Sequence, residues 1–240
     1  MALSPITLGG LLVALAGFEL LDRGRECLGW TGGGELRDHV WKWAVPAALL
    51  LVVAAEGETL ASVGWRVGTV GGFLGDVAVG LAVMLGANLL MAPVWARVGD
   101  GGESLLEGIR TFASLSVPER LFVAFTAGAT EEFAFHGYAV ERLLALTGSY
   151  PLAGFVSFLA FTLGHHGETW DRHAVVRIAQ PALLTTLLYL WFRSLPVLVA
   201  VHAVNDAVGL LAVGRYAPGD REGADGDEAG EPTSVVRWLD

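Results

Sequence analysis

The chain has 240 residues, 53% of them hydrophobic and only 17% charged, with a formal net charge of −10. Soluble domains average about 25% charged residues, so this composition belongs to the membrane-embedded class. The acid excess leaves no basic patch to neutralise phosphate and excludes a nucleic-acid partner. The single Cys27 excludes an intrachain disulfide and any cysteine-based metal cluster.

A membrane-spanning helix needs about 20 mostly apolar residues. The apolar runs predict helices over Ser4–Leu21, Val40–Ala55, Gly71–Arg97, Val117–Leu146, Tyr150–His166, Val175–Phe192 and Leu195–Val213. This gives an all-α, polytopic transmembrane bundle of about seven helices. The first run lacks a basic leader and a small-residue cleavage site, so it reads as a retained helix rather than a signal peptide. Ser116-Val-Pro-Glu119 is a capping box with proline in the first turn, which should start the fourth helix. That helix is long enough to be tilted or broken. Thr147-Gly-Ser-Tyr-Pro151 should end it. Trp41, Trp43, Trp95, Trp170 and Trp191 fall near predicted helix ends, as an interfacial aromatic belt does. Gly71-xxx-Gly75 alone is a weak helix-pairing signal.

Three regions follow. Residues 1–115 form N-terminal transmembrane helices, and 116–213 form a core that carries the intramembrane polar motifs. Residues 214–240 are an acidic stretch expected to be disordered. Arg23, Arg25 and Arg37 follow the first helix. Arg97, Arg110 and Arg120 lie around the third loop, and Arg172 lies in the fifth. The alternate loops offer only Arg66, Arg142 and Arg193. By the positive-inside rule the N-terminus is expected outside and the acidic C-terminus in the cytoplasm.

Carboxylates and imidazoles inside a bilayer are costly unless paired or hydrated, so each is a functional candidate. Glu131-Glu132-Phe-Ala-Phe-His136 places Glu132 and His136 one turn apart, on one face, with Glu131 rotated toward another. Phe161-Thr-Leu-Gly-His165 places His165 on the Phe161 face. His166, rotated away at the helix end, reads as structural. His202-Ala-Val-Asn-Asp206 sets an imidazole beside a carboxylate, which fixes its tautomer and raises its basicity. Asn205 reads as a packing neighbour. Glu19, Asp76, Asn88 and Gln180 lack partners at helical spacing and are expected to join helices or line a water path.

Together these groups can activate water. Glu131 is the expected general base. His165 and His202 would hold a metal together with Glu131, or orient water and stabilise an oxyanion directly. The order Glu131-Glu132-xxx-His136, Phe161-xxx-His165, His202-xxx-Asp206 resembles the CPBP family of intramembrane proteases, which includes the CAAX prenyl endopeptidases and bacteriocin-immunity-type proteins. The resemblance covers the last four predicted helices. It implies a CAAX-protease-like helical core and an intramembrane endopeptidase whose site opens toward the cytoplasmic side. Catalytic roles then fall on Glu131, Glu132, His165 and His202, with His136, Asp206 and Phe161 orienting them. It implies zinc or another divalent metal on His165, His202 and Glu131, or a metal-free glutamate mechanism. The expected partners are membrane lipids and a peptide or lipidated protein substrate. The chain departs from the family pattern at His136, where arginine is usual, and at Asp206, where asparagine is frequent. A catalytically inactive scaffold or immunity protein, or a proton-coupled transporter, remains as the alternative. No paired repeats support the transporter. A haem protein ligated by His165 and His202 would leave Glu131–Glu132 unexplained.

Overall fold

A computed structural model describes residues 4–30, 32–166 and 170–213, and every regular element among them is helical. The acidic stretch 214–240 lies outside the described residues. Among the described residues, five helices are long and apolar enough to cross a membrane: Pro5–Cys27, Glu35–Ala55, Val70–Trp95, Arg172–Phe192 and Leu195–Ala212. Tyr150–Leu163 is a shorter apolar helix. With the continuous helical stretch from Val117 to Thr147, these match the seven expected segments one for one. The chain is a multi-pass membrane protein.

Helix boundaries follow local chemistry. Helix α1 (Pro5–Cys27) starts at Ser4, whose side chain accepts from the Thr7 amide, with proline in the first turn. It runs past the predicted Leu21, because Glu19 and Arg23 pair at 2.7 Å across one turn. Glu19 therefore does have a partner at helical spacing. The second predicted segment is two abutting helices, α2 (Glu35–Lys42) and α3 (Ala44–Ala55). After α4 (Val70–Trp95) comes a helix the sequence reading did not include, the short α5 (Glu103–Arg110). It is amphipathic rather than apolar throughout, so a search for membrane spans passes over it.

The fourth predicted helix begins at the expected capping box: the Ser116 amide donates to Glu119 Oε2 at 2.7 Å. It is widened rather than broken. Helix α6 (Val117–Glu131) passes into a π-helical stretch, Glu132–Val140, and then into α7 (Glu141–Thr147). Gly148, at φ 67°, ends it in the left-handed conformation that glycine adopts without steric cost. Helix α8 (Tyr150–Leu163) stops short of the predicted His166, leaving His165 in the turn beyond it. Asp171 caps α9 (Arg172–Phe192), and α10 (Leu195–Val213) closes the bundle.

The core draws on both halves of the chain. Leu11, Leu49, Val63 and Met84 pack with Phe133, Tyr138, Tyr189 and Leu198 in one buried cluster. Outward-facing apolar side chains such as Val70, Leu74 and Leu90 on α4 suit a lipid environment. Helices α6 and α10 approach closely at Gly128. A Cβ there would lie 2.9 Å from the Ala203 amide nitrogen, so only glycine permits this crossing. The crossing sets Glu131 and Glu132 against His202.

Candidate active site

Glu131 closes α6, and Glu132 opens the π-helical stretch. π-Helical turns bond i to i+5 and occur frequently at functional sites. The two neighbouring carboxylates diverge, as their successive positions require. Glu131 lines a cavity of about 1350 Å³ that also receives Lys42, Phe161, His165, His202 and Asp206. Glu132 is fully buried and turns away from that cavity.

Glu131 is held at one oxygen and faces His165 with the other. Lys42 Nζ donates to Oε1 at 2.9 Å, and His165 Nε2 lies 3.7 Å from Oε2. His165 Nδ1 is 2.7 Å from the Phe161 carbonyl, which can only accept. The Nδ1 proton is thereby fixed on the carbonyl side, and Nε2 faces Glu131. The His165 ring rests against Phe161, with centroids 4.7 Å apart. Phe161 is itself buried against Phe135, at 5.2 Å between centroids.

Glu132 serves the histidines instead of water. Its Oε1 lies 2.5 Å from His202 Nδ1, and its Oε2 lies 2.5 Å from His136 Nδ1. The His136 contact is close but off the line of an ideal hydrogen bond. His136 Nε2 meets Thr186 Oγ1 at 2.9 Å, so the fully buried ring is gripped from both sides. His202 Nε2 lies 3.3 Å from Asp206 Oδ2, one turn on. The sequence reading placed Glu132 beside Glu131 among the catalytic groups. The structure buries it completely against His202 and His136, outside the cavity that Glu131 lines.

From Asp206 a polar chain crosses the bundle. Asn205 Nδ2 donates to Asp206 Oδ1 at 3.2 Å, and Asn88 Nδ2 donates to Asn205 Oδ1 at 2.9 Å. Gln180 Nε2 donates to Asn88 Oδ1 at 3.1 Å, and the Trp95 indole donates to Gln180 Oε1. Asn88 and Gln180 thus join helices, as expected, and also line the cavity. Asp76 lies elsewhere, in a smaller cavity with Arg66 and Arg193. His166, expected to be structural, is exposed on the rim of the main cavity.

A divalent metal on Glu131, His165 and His202 does not fit this arrangement. Both nitrogens of His202 face carboxylates, and the Lys42 ammonium occupies one oxygen of Glu131. Among the described residues no group of three or more histidine, cysteine or carboxylate side chains converges as a metal set. Lys42 is the site residue that the sequence reading missed. The one available signal was compositional: it is the sole lysine in a chain whose other long cationic side chains are all arginine.

Residues 113–208 match the family model described as type II CAAX prenyl endopeptidase Rce1-like. The matched stretch contains Glu131, Glu132, His136, Phe161, His165, His202 and Asp206, and it excludes Lys42 and Asn88. This part of the chain is similar to the Rce1-like domain, consistent with the CPBP protease resemblance. That similarity suggests CAAX-type intramembrane endopeptidase function. No curated protein and no solved structure gives a match.

Proposed function

We propose that the chain is an intramembrane endopeptidase in which Glu131 activates water against a peptide bond. The observation that carries this reading is the facing pair Glu131 Oε2 and His165 Nε2, 3.7 Å apart on the wall of a large cavity. Both are able to accept a proton, so a water beside them has two acceptors and a fixed direction. Glu131 takes one water proton while the oxygen attacks the carbonyl carbon. The oxygen of the tetrahedral intermediate develops on the cavity wall formed by the imidazole of His202, whose ring Glu132 and Asp206 orient. The carbon–nitrogen bond then breaks, and Glu131 passes its proton to the departing amine. The products are a carboxylate and an amine, with one water consumed.

The similarity to CAAX prenyl endopeptidases supports a peptide with a lipid-modified cysteine near its C-terminus as the substrate class. The apolar lining, which includes Met84, Leu85, Leu89, Phe112, Val208 and Leu210, suits a partly lipidic ligand. The test uses purified protein in lipid nanodiscs with internally quenched peptides, farnesylated and unmodified. Cleavage by the wild type and a loss of about 10²–10⁴ in rate for Glu131→Gln are expected. Equal cleavage by Glu131→Gln would remove the base. A wild type inert to every peptide would favour the inactive-scaffold alternative. Turnover should persist after chelation, since a metal at Glu131 would have to displace Lys42. Loss on chelation, restored by zinc, would instead assign a metal mechanism.

A further inference from the structure

We propose that Lys42 is a positioning residue for the candidate base, delivered to the site by a helix outside the Rce1-like stretch. The inference rests on the reading of Glu131 as base. The Lys42 ammonium holds Glu131 Oε1 at 2.9 Å and leaves Oε2 directed at His165. A carboxylate with one oxygen fixed cannot rotate its other oxygen away from the water position. The same positive charge offsets Glu131, while the adjacent Glu132 is already committed to His136 and His202.

The placement of Lys42 is built rather than incidental. Lys42 is the last residue of α2, and that helix is pinned along its length. Asp38 pairs with the buried Arg25 of α1. Trp41 stacks on Trp30 at 5.9 Å. His39 packs edge-on against Phe112 at 5.7 Å. Next to Lys42, the Trp43 indole donates to Thr126 Oγ1 on α6 at 3.2 Å. Thr126 precedes Glu131 on the same helix, so α2 and the base share a rigid mount. Elsewhere the chain uses arginine for its long-chain cations, including the buried Arg142 and Arg177, yet lysine stands here. A compact ammonium can hold one carboxylate oxygen and leave the other free. A guanidinium fork tends to take both.

The experiment compares Lys42→Met, Lys42→Arg, Glu131→Gln and the double variant Lys42→Met/Glu131→Gln with the quenched peptides. Lys42→Met should lower kcat by about 10–100-fold, the scale of a misplaced reacting group, with KM little changed. Lys42→Arg should recover part of that loss. In the Glu131→Gln background Lys42→Met should cost nothing further, since there is no base left to position. Because Lys42 is the sole lysine, acetylation of amines should slow the wild type to the level of Lys42→Met while sparing Lys42→Arg. A Lys42→Met enzyme with full or increased kcat, or one impaired only in KM, would overturn the proposal. So would additive losses in the double variant. Activity retained in Glu131→Gln would instead overturn the base. Glu131→Gln inactive with Lys42→Met fully active would overturn the role of Lys42 alone.

Discussion

One helical stretch, Val117–Thr147, carries carboxylates into two different networks, and the contrast between them separates architecture from chemistry. At one end Glu141 is bound by Arg193 at 2.5 Å and by the Tyr189 hydroxyl at 2.7 Å. The adjacent Arg142 meets Glu56 at 2.7 Å and the Ser62 carbonyl at 3.0 Å. Tyr138 donates to the other Glu56 oxygen at 2.9 Å. These carboxylates are saturated by permanent cations and by phenols that only donate to them. Nothing in that network is left to hand a proton onward. Toward the centre of the stretch, Glu131 and Glu132 are served by imidazoles and one lysine, and Glu131 opens onto a cavity. Closed networks hold helices together, and open ones leave capacity for a reaction.

The largest effect that tests this contrast is the pair Glu131→Gln and Glu141→Gln. The first should cut cleavage by about 10²–10⁴ while leaving the melting temperature near that of the wild type. The second should do the reverse, lowering thermal stability with kcat largely kept in the folded fraction. If both variants lose activity to the same degree at equal stability, the division between the two networks is wrong.

Arg142→Met comes next. It leaves Glu56 as a buried carboxylate without its cation, and breaking such a pair costs about 3–5 kcal/mol. The Arg142 and Glu56 side chains are 3% and 2% exposed, so water cannot take the place of the lost partner. The double variant Arg142→Met/Glu56→Leu should recover much of that loss in a denaturant titration, because no charge then remains buried. A single variant as stable as the wild type would show that the network is ornamental.

The sequence carried the helical segments and the one-turn pairings, because both depend on local periodicity. Glu132 with His136 and His202 with Asp206 are neighbours at i, i+4, and the structure places each pair in contact. Contacts between distant segments left no such trace. Lys42 lies far from Glu131 in sequence, and no spacing rule connects them. Glu56 with Arg142 was equally hidden, since Arg142 read only as a loop charge. The π-helical widening from Glu132 to Val140 was also illegible, because its residues have no composition of their own. That widening begins at Glu132, the second expected catalytic carboxylate, which lies buried between two histidines.

Within the open network, Asn88→Leu should have a smaller effect. It removes two hydrogen bonds, to Asn205 and from Gln180, at about 1 kcal/mol each. Asp206 keeps only its nearer contacts to Asn205 and His202. Stability should fall by about 1–2 kcal/mol, with kcat reduced less than by any change at Lys42. A kcat loss as large as that of Glu131→Gln would make the polar chain part of the reaction rather than its scaffold.

The smallest effect lies outside both networks, where α5 and α9 begin. Asp171 accepts from the amides of Ala174 and His173 and from the Ser104 hydroxyl, and the backbone bond from Ala174 does most to hold its carboxyl below the ordinary range. Asp100 is held well below that range by hydrogen bonds from Ser104 and then from Gly102, with Arg177 nearby. A carboxyl depressed in the folded state adds stability that is present above its unfolded value, near 3.9. That contribution is lost as pH falls through the folded value. Acid should therefore loosen the first turns of α5 and α9 before it reaches the intramembrane pairs. Asp171→Asn retains a capping oxygen but cannot titrate. Amide hydrogen exchange at His173 and Ala174, corrected for intrinsic rates, should show protection declining below about pH 4 in the wild type and staying level in the variant. Parallel acid profiles would mean that these caps do not set the acid limit of the exposed loops, and that the closed network at the other end must be examined as its source.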